Sequence, residues 1–146
     1  MEYDKNNIFA KILKGEIPCK KIYENDYVLS FHDVNPQKKI HALVIPKGQY
    51  TDLDDFVQNA KEKEIYEFFK AISHVAKILK VSNVDGGYRT LSNIANNGGQ
   101  DVPHLHFHIF GGEKIGKMVS WNAQSQKIFF GNFTQTLSKS RARFWE

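Results

Sequence analysis

A chain of 146 residues is most simply one domain with a proper core, and 41% hydrophobic with 25% charged residues is ordinary for a soluble globular protein. The formal charge of +4 is uneven: residues 1–112 hold fourteen Lys or Arg against fourteen Asp or Glu, so the excess lies in residues 113–146 and the main body does not read as nucleic-acid-binding. No apolar run approaches the roughly 20 residues of a membrane span, and one cysteine, Cys19, excludes an internal disulfide or a multi-cysteine zinc site.

The first seven residues are polar and acid-bearing, do not read as a signal peptide, and lead us to expect a cytoplasmic protein. Apolar residues at 8, 9, 12 and 13 predict a short helix that Gly15 stops. Residues 21–24 predict a strand, Asn25-Asp26 a turn, and 27–34 a second strand ended by Asn35-Pro36. Residues 40–46 predict a third strand with Pro46 as its stop. Ile65, Phe68, Phe69, Ile72, Val75, Ala76 and Leu79 form the apolar stripe of a long helix over 61–80. Asp85-Gly86-Gly87 then turns the chain into a fourth strand over 88–92.

The most informative run follows: His104-Leu105-His106-Phe107-His108-Ile109-Phe110. Alternation in a strand puts the three imidazoles on one face and Leu105, Phe107 and Ile109 in the core behind them. Just ahead, residues 97–103 form a tight turn whose backbone N–H groups can receive an anion. Three groups that titrate near neutrality beside an anion cradle suit attack on phosphorus. The whole is an α+β pattern: a short helix, three strands, a long helix and two final strands.

Those blocks together resemble the histidine triad (HIT) family, closest to its Hint branch of purine nucleoside phosphoramidases. The likeness spans roughly residues 7–112. It rests on Asn7-Ile8-Phe9-Ala10-Lys11-Ile12, Gly15-Glu16-Ile17-Pro18, Phe31-His32-Asp33-Val34-Asn35-Pro36-Gln37, His41-Ala42-Leu43-Val44-Ile45-Pro46-Lys47 and Gly98-Gly99-Gln100 before the triad. The resemblance implies a mainly antiparallel five-stranded sheet with one short and one long helix, extended across a homodimer. It implies a HIT domain over 1–112, a C-terminal extension over 113–146, and binding of a purine nucleotide without a cofactor or metal.

Carried over by position, His106 is the nucleophile that takes up the nucleotide, with His104, His108 and His41 supporting it. Asp33 holds the ribose hydroxyls; Ile8, Phe9, Ile17 and Phe31 form the base pocket; Asn93, Gly99, Gln100 and Asp101 surround the phosphate. The implied reaction is hydrolysis of a nucleoside 5′-phosphoramidate or an aminoacyl-adenylate to AMP or GMP. A dinucleoside polyphosphate hydrolase and a non-catalytic nucleotide-sensing protein are the alternatives.

The chemistry of these residues supports those roles. A neutral imidazole is a good nucleophile toward phosphorus, provided its other nitrogen donates to a fixed acceptor. The leaving amine needs a proton, for which His108 relayed with His41 is suited. Turn amides and Asn93 can face the phosphoryl charge. The apolar base pocket offers little hydrogen-bond discrimination, so broad base tolerance is expected. Two positions depart from the family pattern. Asp101 stands where several Hint members carry a hydroxyl, and repulsion predicts that its carboxylate turns away and contributes only its N–H. Asn7 and Ala10 replace the Cys-x-x-Cys of zinc-holding bacterial relatives.

Plainer readings stand beside these. Alternate histidines on a strand also suit zinc, copper or nickel. His41 alone is an ordinary strand histidine; His32 should point away from Asp33, and His74 reads as structural or exposed. Asn93 can be a turn former, Gly98-Gly99 alone is weak evidence, and Phe9, Phe31 and Cys19 are core residues by default. Beyond Gly112, aromatic and basic residues from Trp121 to Glu146 allow packing on the body, contact with a partner subunit, partial disorder, or binding to nucleic acid or an anionic surface.

Overall fold

The computed structural model describes residues 2–120, and the expectations for 121–146 lie outside them. Residues up to Ile115 form one compact unit. Its elements run α1 (Ile8–Leu13), β1 (Lys21–Glu24), β2 (Val28–His32), β3 (Ile40–Pro46), α2 (Leu53–Asn59), α3 (Glu62–Ile78), a 3-10 turn (Asn83–Asp85), β4 (Tyr88–Leu91), α4 (Ala95–Gly98) and β5 (Phe107–Gly111). The five strands form one sheet in the order β1-β2-β3-β5-β4, every neighbouring pair antiparallel. This is the expected α+β sheet. Among the described residues no helix is long and apolar enough to cross a membrane.

Strand alternation divides the core into two. Val28, Ala42, Val44 and Ile109 face α3, where Phe68, Ala71, Ile72, Val75 and Ala76 meet them. At roughly 1.5–3 kcal/mol for each large apolar side chain, this layer dominates the stability. Leu29, Phe31, Leu43 and Ile45 face the opposite way and pack with Phe9 of α1. His41 and His108 alternate onto that second face, because they flank Ala42 and Ile109 in register: Leu43 pairs His108, and Ala42 pairs Ile109. The sheet therefore holds the histidines on the side away from the long helix.

Local signals set the boundaries. Asn7 caps α1 with its Oδ1 on the Ala10 N–H, and Gly15 leaves the helix at φ +77°, a backbone that few other residues adopt. The long helix ends with a basic residue, Lys77, in its last turn. Phe69, predicted on the buried stripe, is 43% exposed and lays its ring edge against Phe107.

Three features differ from the expectations. Helix α2 was not foreseen, because its only buried residue is Phe56 and one anchor makes no periodic stripe; Asp52 caps it by accepting from the Asp55 N–H. Helix α4 is a single turn and too short to show a period. The last strand starts at Phe107 rather than His104. Both neighbours run out there, since β3 pairs only to Phe107 and β4 only to His108. His104 and His106 are fixed instead by irregular bonds: the Leu105 N–H donates to the Tyr50 carbonyl, and Ser92 Oγ donates to the His106 carbonyl. The alternation survives without the ladder, and Leu105 remains fully buried in the α3-side core.

Candidate active site

The three triad rings sit side by side on the α1 face. The His106 and His108 centroids are 5.1 Å apart, and Phe9 meets His106 edge-on at 5.0 Å. His104 is fully buried and His106 is 2% exposed, so water reaches neither freely. His106 Nδ1 lies 2.7 Å from the His104 carbonyl, an acceptor only, so Nδ1 carries the hydrogen. Nε2 is left with the lone pair. The fold thus fixes the tautomer a nucleophile needs.

The Gln37 N–H donates to His41 Nδ1 at 3.1 Å, which puts the His41 hydrogen on Nε2. His41 Nε2 in turn lies 2.9 Å from His108 Nδ1 and 3.4 Å from Asp33 Oδ2. His108 Nδ1 is therefore an acceptor, and its own hydrogen sits on Nε2. Among the described residues that buried atom has no hydrogen-bond partner. An unpaired buried donor costs about 1–3 kcal/mol, and proteins keep such a group where a ligand is to meet it.

Burial favours the neutral form of His41, His104 and His108. It pushes His108 down to about 4, with His106 and His41 adding to the effect and Asp33 and Asp101 opposing it. It also pushes His104 down to about 4 against the Pro46 carbonyl, and lowers His41 against the pull of Asp33. Phe110 stacks on His108 with ring planes 3° apart and covers its back.

Phe9 and Phe31 lie edge to face, 5.7 Å between centroids, forming an apolar wall beside the triad. Ile8 is 46% exposed and Ile17 half-buried, so both present apolar surface that a ligand can cover. Asp33 ties one carboxylate oxygen to the Asn35 N–H at 2.8 Å and directs the other toward His41.

The loop residues divide. Asn93 is half-buried, and its side chain forms no hydrogen bond among the described residues. Gly99 and Gln100 are not free donors as expected. Their N–H groups bond to Asn96 and Ala95, and the Gln100 Nε2 donates to the Thr51 and Val102 carbonyls at 2.6 and 3.0 Å while Oε1 accepts from Ala95. Gln100 pins the loop rather than presenting itself, because its two amide hydrogens are both used. Among the described residues the Asp101 N–H has no hydrogen-bond acceptor. Its carboxylate does not turn away, as repulsion from a phosphate predicted: Oδ1 lies 3.5 Å from His106 Nε2.

Three partners were missed. Tyr3 and the Pro46 carbonyl hold the two nitrogens of His104, at 2.5 and 2.9 Å, and the Gln37 N–H sets His41. None has a sequence signal, since backbone groups carry no residue identity and Tyr3 stands far from the triad in the chain. His32 and His74 stay out of the site; His74 packs on Tyr23. Among the described residues, Asp33, His41 and His108 are the group arranged to hold a metal, with ligand atoms within 4.8 Å of one another. The His41–His108 contact is nevertheless a hydrogen bond, shorter than the roughly 3.3 Å between tetrahedral zinc nitrogens. A metal there would have to spread the pair.

A family model described as HIT domain matches residues 14–115. The chain belongs to the histidine triad family. An uncharacterized 13.2 kDa HIT-like protein of Azospirillum brasilense is 51% identical over 118 residues, 81% of this chain and 95% of the relative. A purine nucleoside phosphoramidase of Escherichia coli is 34% identical over 114 residues, 77% and 92% of the two chains. A solved histidine triad protein from Clostridium difficile is 38% identical with a TM-score of 0.69, covering 82% of this chain and all of that one. The segment from His104 to His108, with its rings gathered on one face, lies within the matched residues.

Proposed function

We propose that this HIT protein hydrolyses nucleoside 5′-phosphoramidates or aminoacyl-adenylates at the α-phosphorus through a covalent nucleotidyl-His106, releasing AMP or GMP. The observation that carries it is the paired tautomer assignment: a lone pair on His106 Nε2 and an unpartnered donor on His108 Nε2 in one buried cluster. The relation to the E. coli phosphoramidase supports the choice of bond.

Substrate binding brings phosphoryl charge beside rings that burial keeps neutral, and that charge raises their proton affinity. One proton is taken up at His41 Nδ1, which gives up the Gln37 N–H to receive it, and the nearby Asp33 carboxylate offsets the charge. His106 Nε2 attacks phosphorus; the N–P bond to histidine forms as the P–N bond to the leaving amine breaks. The leaving nitrogen receives the His108 Nε2 proton. His108 Nε2, now unprotonated, takes a proton from an incoming water as the water oxygen bonds phosphorus and the bond from phosphorus to His106 Nε2 breaks. Asn93 and the Asp101 N–H are the donors for the phosphoryl oxygens, and Phe9, Phe31, Ile8 and Ile17 receive the base. Holding the reacting groups in place this way replaces a bimolecular encounter with an intramolecular one.

In the same reading the protein acts as a cytoplasmic homodimer, joined so that two sheets become one. The support is topological: among the described strands β4 ends the sheet, next to β5.

The test is direct. Wild-type protein incubated with adenosine 5′-phosphoramidate and quenched should carry an AMP mass adduct on the peptide containing His106. His106→Ala should abolish turnover and the adduct while still binding AMP. Turnover persisting in His106→Ala would remove the nucleophile from this reading.

A further inference from the structure

Resting on the phosphoramidase reading, we infer that Asp101 selects substrates by the charge of the leaving group, favouring cationic amines and rejecting anionic ones. The Asp101 carboxylate is 78% exposed, and its Oδ1 stands 3.5 Å from the nucleophilic His106 Nε2. It is not a loop-building group. Among the described residues it caps no turn, accepts no backbone N–H, and pairs with no Lys or Arg. The Asp of a neighbouring turn, Asp33, shows the contrast, since its Oδ1 accepts the Asn35 N–H. Asp101 thus spends its charge at the mouth of the site.

An in-line reaction puts phosphorus against Nε2 and the leaving group just beyond it, both within a few ångströms of that carboxylate. The α-phosphoryl is common to every substrate, so its repulsion falls on all of them alike. The leaving group is the part that differs. An amine gathers a proton from His108 as the P–N bond breaks, and an amine bearing a further ammonium group adds a second positive centre. A nucleoside polyphosphate or a carboxylate-bearing amine brings negative charge to the same place. Between two unit charges about 5 Å apart in a water-like medium, the interaction is a severalfold effect on a rate constant. Attraction for one class and repulsion for the other multiply to about tenfold, more for a leaving group of several charges. Exposure of the carboxylate makes the effect sensitive to salt.

Three adenosine 5′-phosphoramidates test this with the same bond broken: leaving amines bearing an ammonium, a neutral and a carboxylate terminus, with diadenosine tetraphosphate as a fourth substrate. For wild type we expect kcat/KM to fall in that order, spanning about tenfold across the three amines and narrowing in high salt. Asp101→Asn should compress the span to about twofold and raise the relative rate on the tetraphosphate. Asp101→Glu should restore the order, which loss of folding would not do. An equal span in wild type and Asp101→Asn overturns the inference while leaving the phosphoramidase reading intact. No turnover of any of the four by wild type removes that reading itself.

Discussion

The Tyr3 hydroxyl lies 2.5 Å from His104 Nδ1, joining residues 101 positions apart in the chain. His104 Nε2 faces the Pro46 carbonyl, so its hydrogen is there and Nδ1 accepts from Tyr3. Tyr3 in turn accepts from Asn7 Nδ2 at 2.9 Å, and Asn7 also caps α1. One chain of bonds therefore runs from the first helix to the triad residue whose carbonyl orients the nucleophile. Tyr3→Phe keeps the ring and removes the donor, leaving a buried lone pair unpaired. We expect a loss of about 1–3 kcal/mol in urea denaturation and a reduced kcat with KM little changed. Wild-type stability in Tyr3→Phe would show that the bond contributes nothing.

His41 gives a sharper kinetic test. It donates Nε2–H to His108 Nδ1 and thereby commits the His108 hydrogen to Nε2. His41→Ala removes that donor and lets His108 take either tautomer. The expected outcome is a fall in kcat of about 10²-fold or more, the scale of lost acid–base catalysis, with nucleotide affinity changed far less. His41→Gln, which can still donate, should recover part of it. A variant that changes KM alone would place His41 in binding rather than proton transfer.

How much of this was legible in the sequence depends on the range of the interaction. Alternation at His104, His106 and His108 assigns the rings to one face, and it does so even where no strand forms, because extended backbone keeps the period without a ladder. The α3 stripe and the Gly15 stop were equally local and equally readable. Helix α2 was hidden by its single anchor, Phe56. The roles of Tyr3, Gln37 and Pro46 depend on chain segments meeting in space, and two of those three contribute backbone groups that every residue has. Gln100 and Asp101 show the remaining gap. Their residue types suit phosphate contacts, but side-chain geometry sends one into the loop and the other toward His106.

Acid should unfold the protein through these same rings. His104 and His108 are held at about 4 in the folded state against an ordinary 6.5, and His41 is lowered too. Below pH 6.5 the unfolded chain binds protons that the folded chain refuses, so stability falls as pH drops toward 4 and gains nothing further above 6.5. Each ring contributes up to about 1.4 kcal/mol per pH unit inside that window. Urea midpoints should be flat from pH 7 to 8 and decline steadily from 6 to 4.5. His104→Phe, which keeps a ring but cannot titrate, should show a shallower decline than wild type. A midpoint that rises toward acid would contradict neutral buried imidazoles.

Gln100 offers a test of loop positioning separate from chemistry. Its amide bridges the Thr51 and Val102 carbonyls and the Ala95 N–H, and Ala95 itself is held at φ +53°, an unusual backbone for a residue with a side chain. The bridge places Asp101 and Val102 directly before the triad, so loosening it moves the Asp101 N–H away from where a phosphoryl oxygen would sit. Gln100→Leu preserves the bulk and abolishes all three bonds. We expect a destabilisation of about 1–3 kcal/mol and a rise in Kd for AMP of about tenfold, read by urea denaturation and calorimetric titration. Gln100→Glu separates the parts: it keeps an acceptor for Ala95 but loses both donated bonds and sets a carboxylate against two carbonyl oxygens, so it should cost more than Gln100→Leu. If Gln100→Leu instead binds AMP as tightly as wild type, the loop holds its shape without the bridge and the phosphate donors do not depend on it.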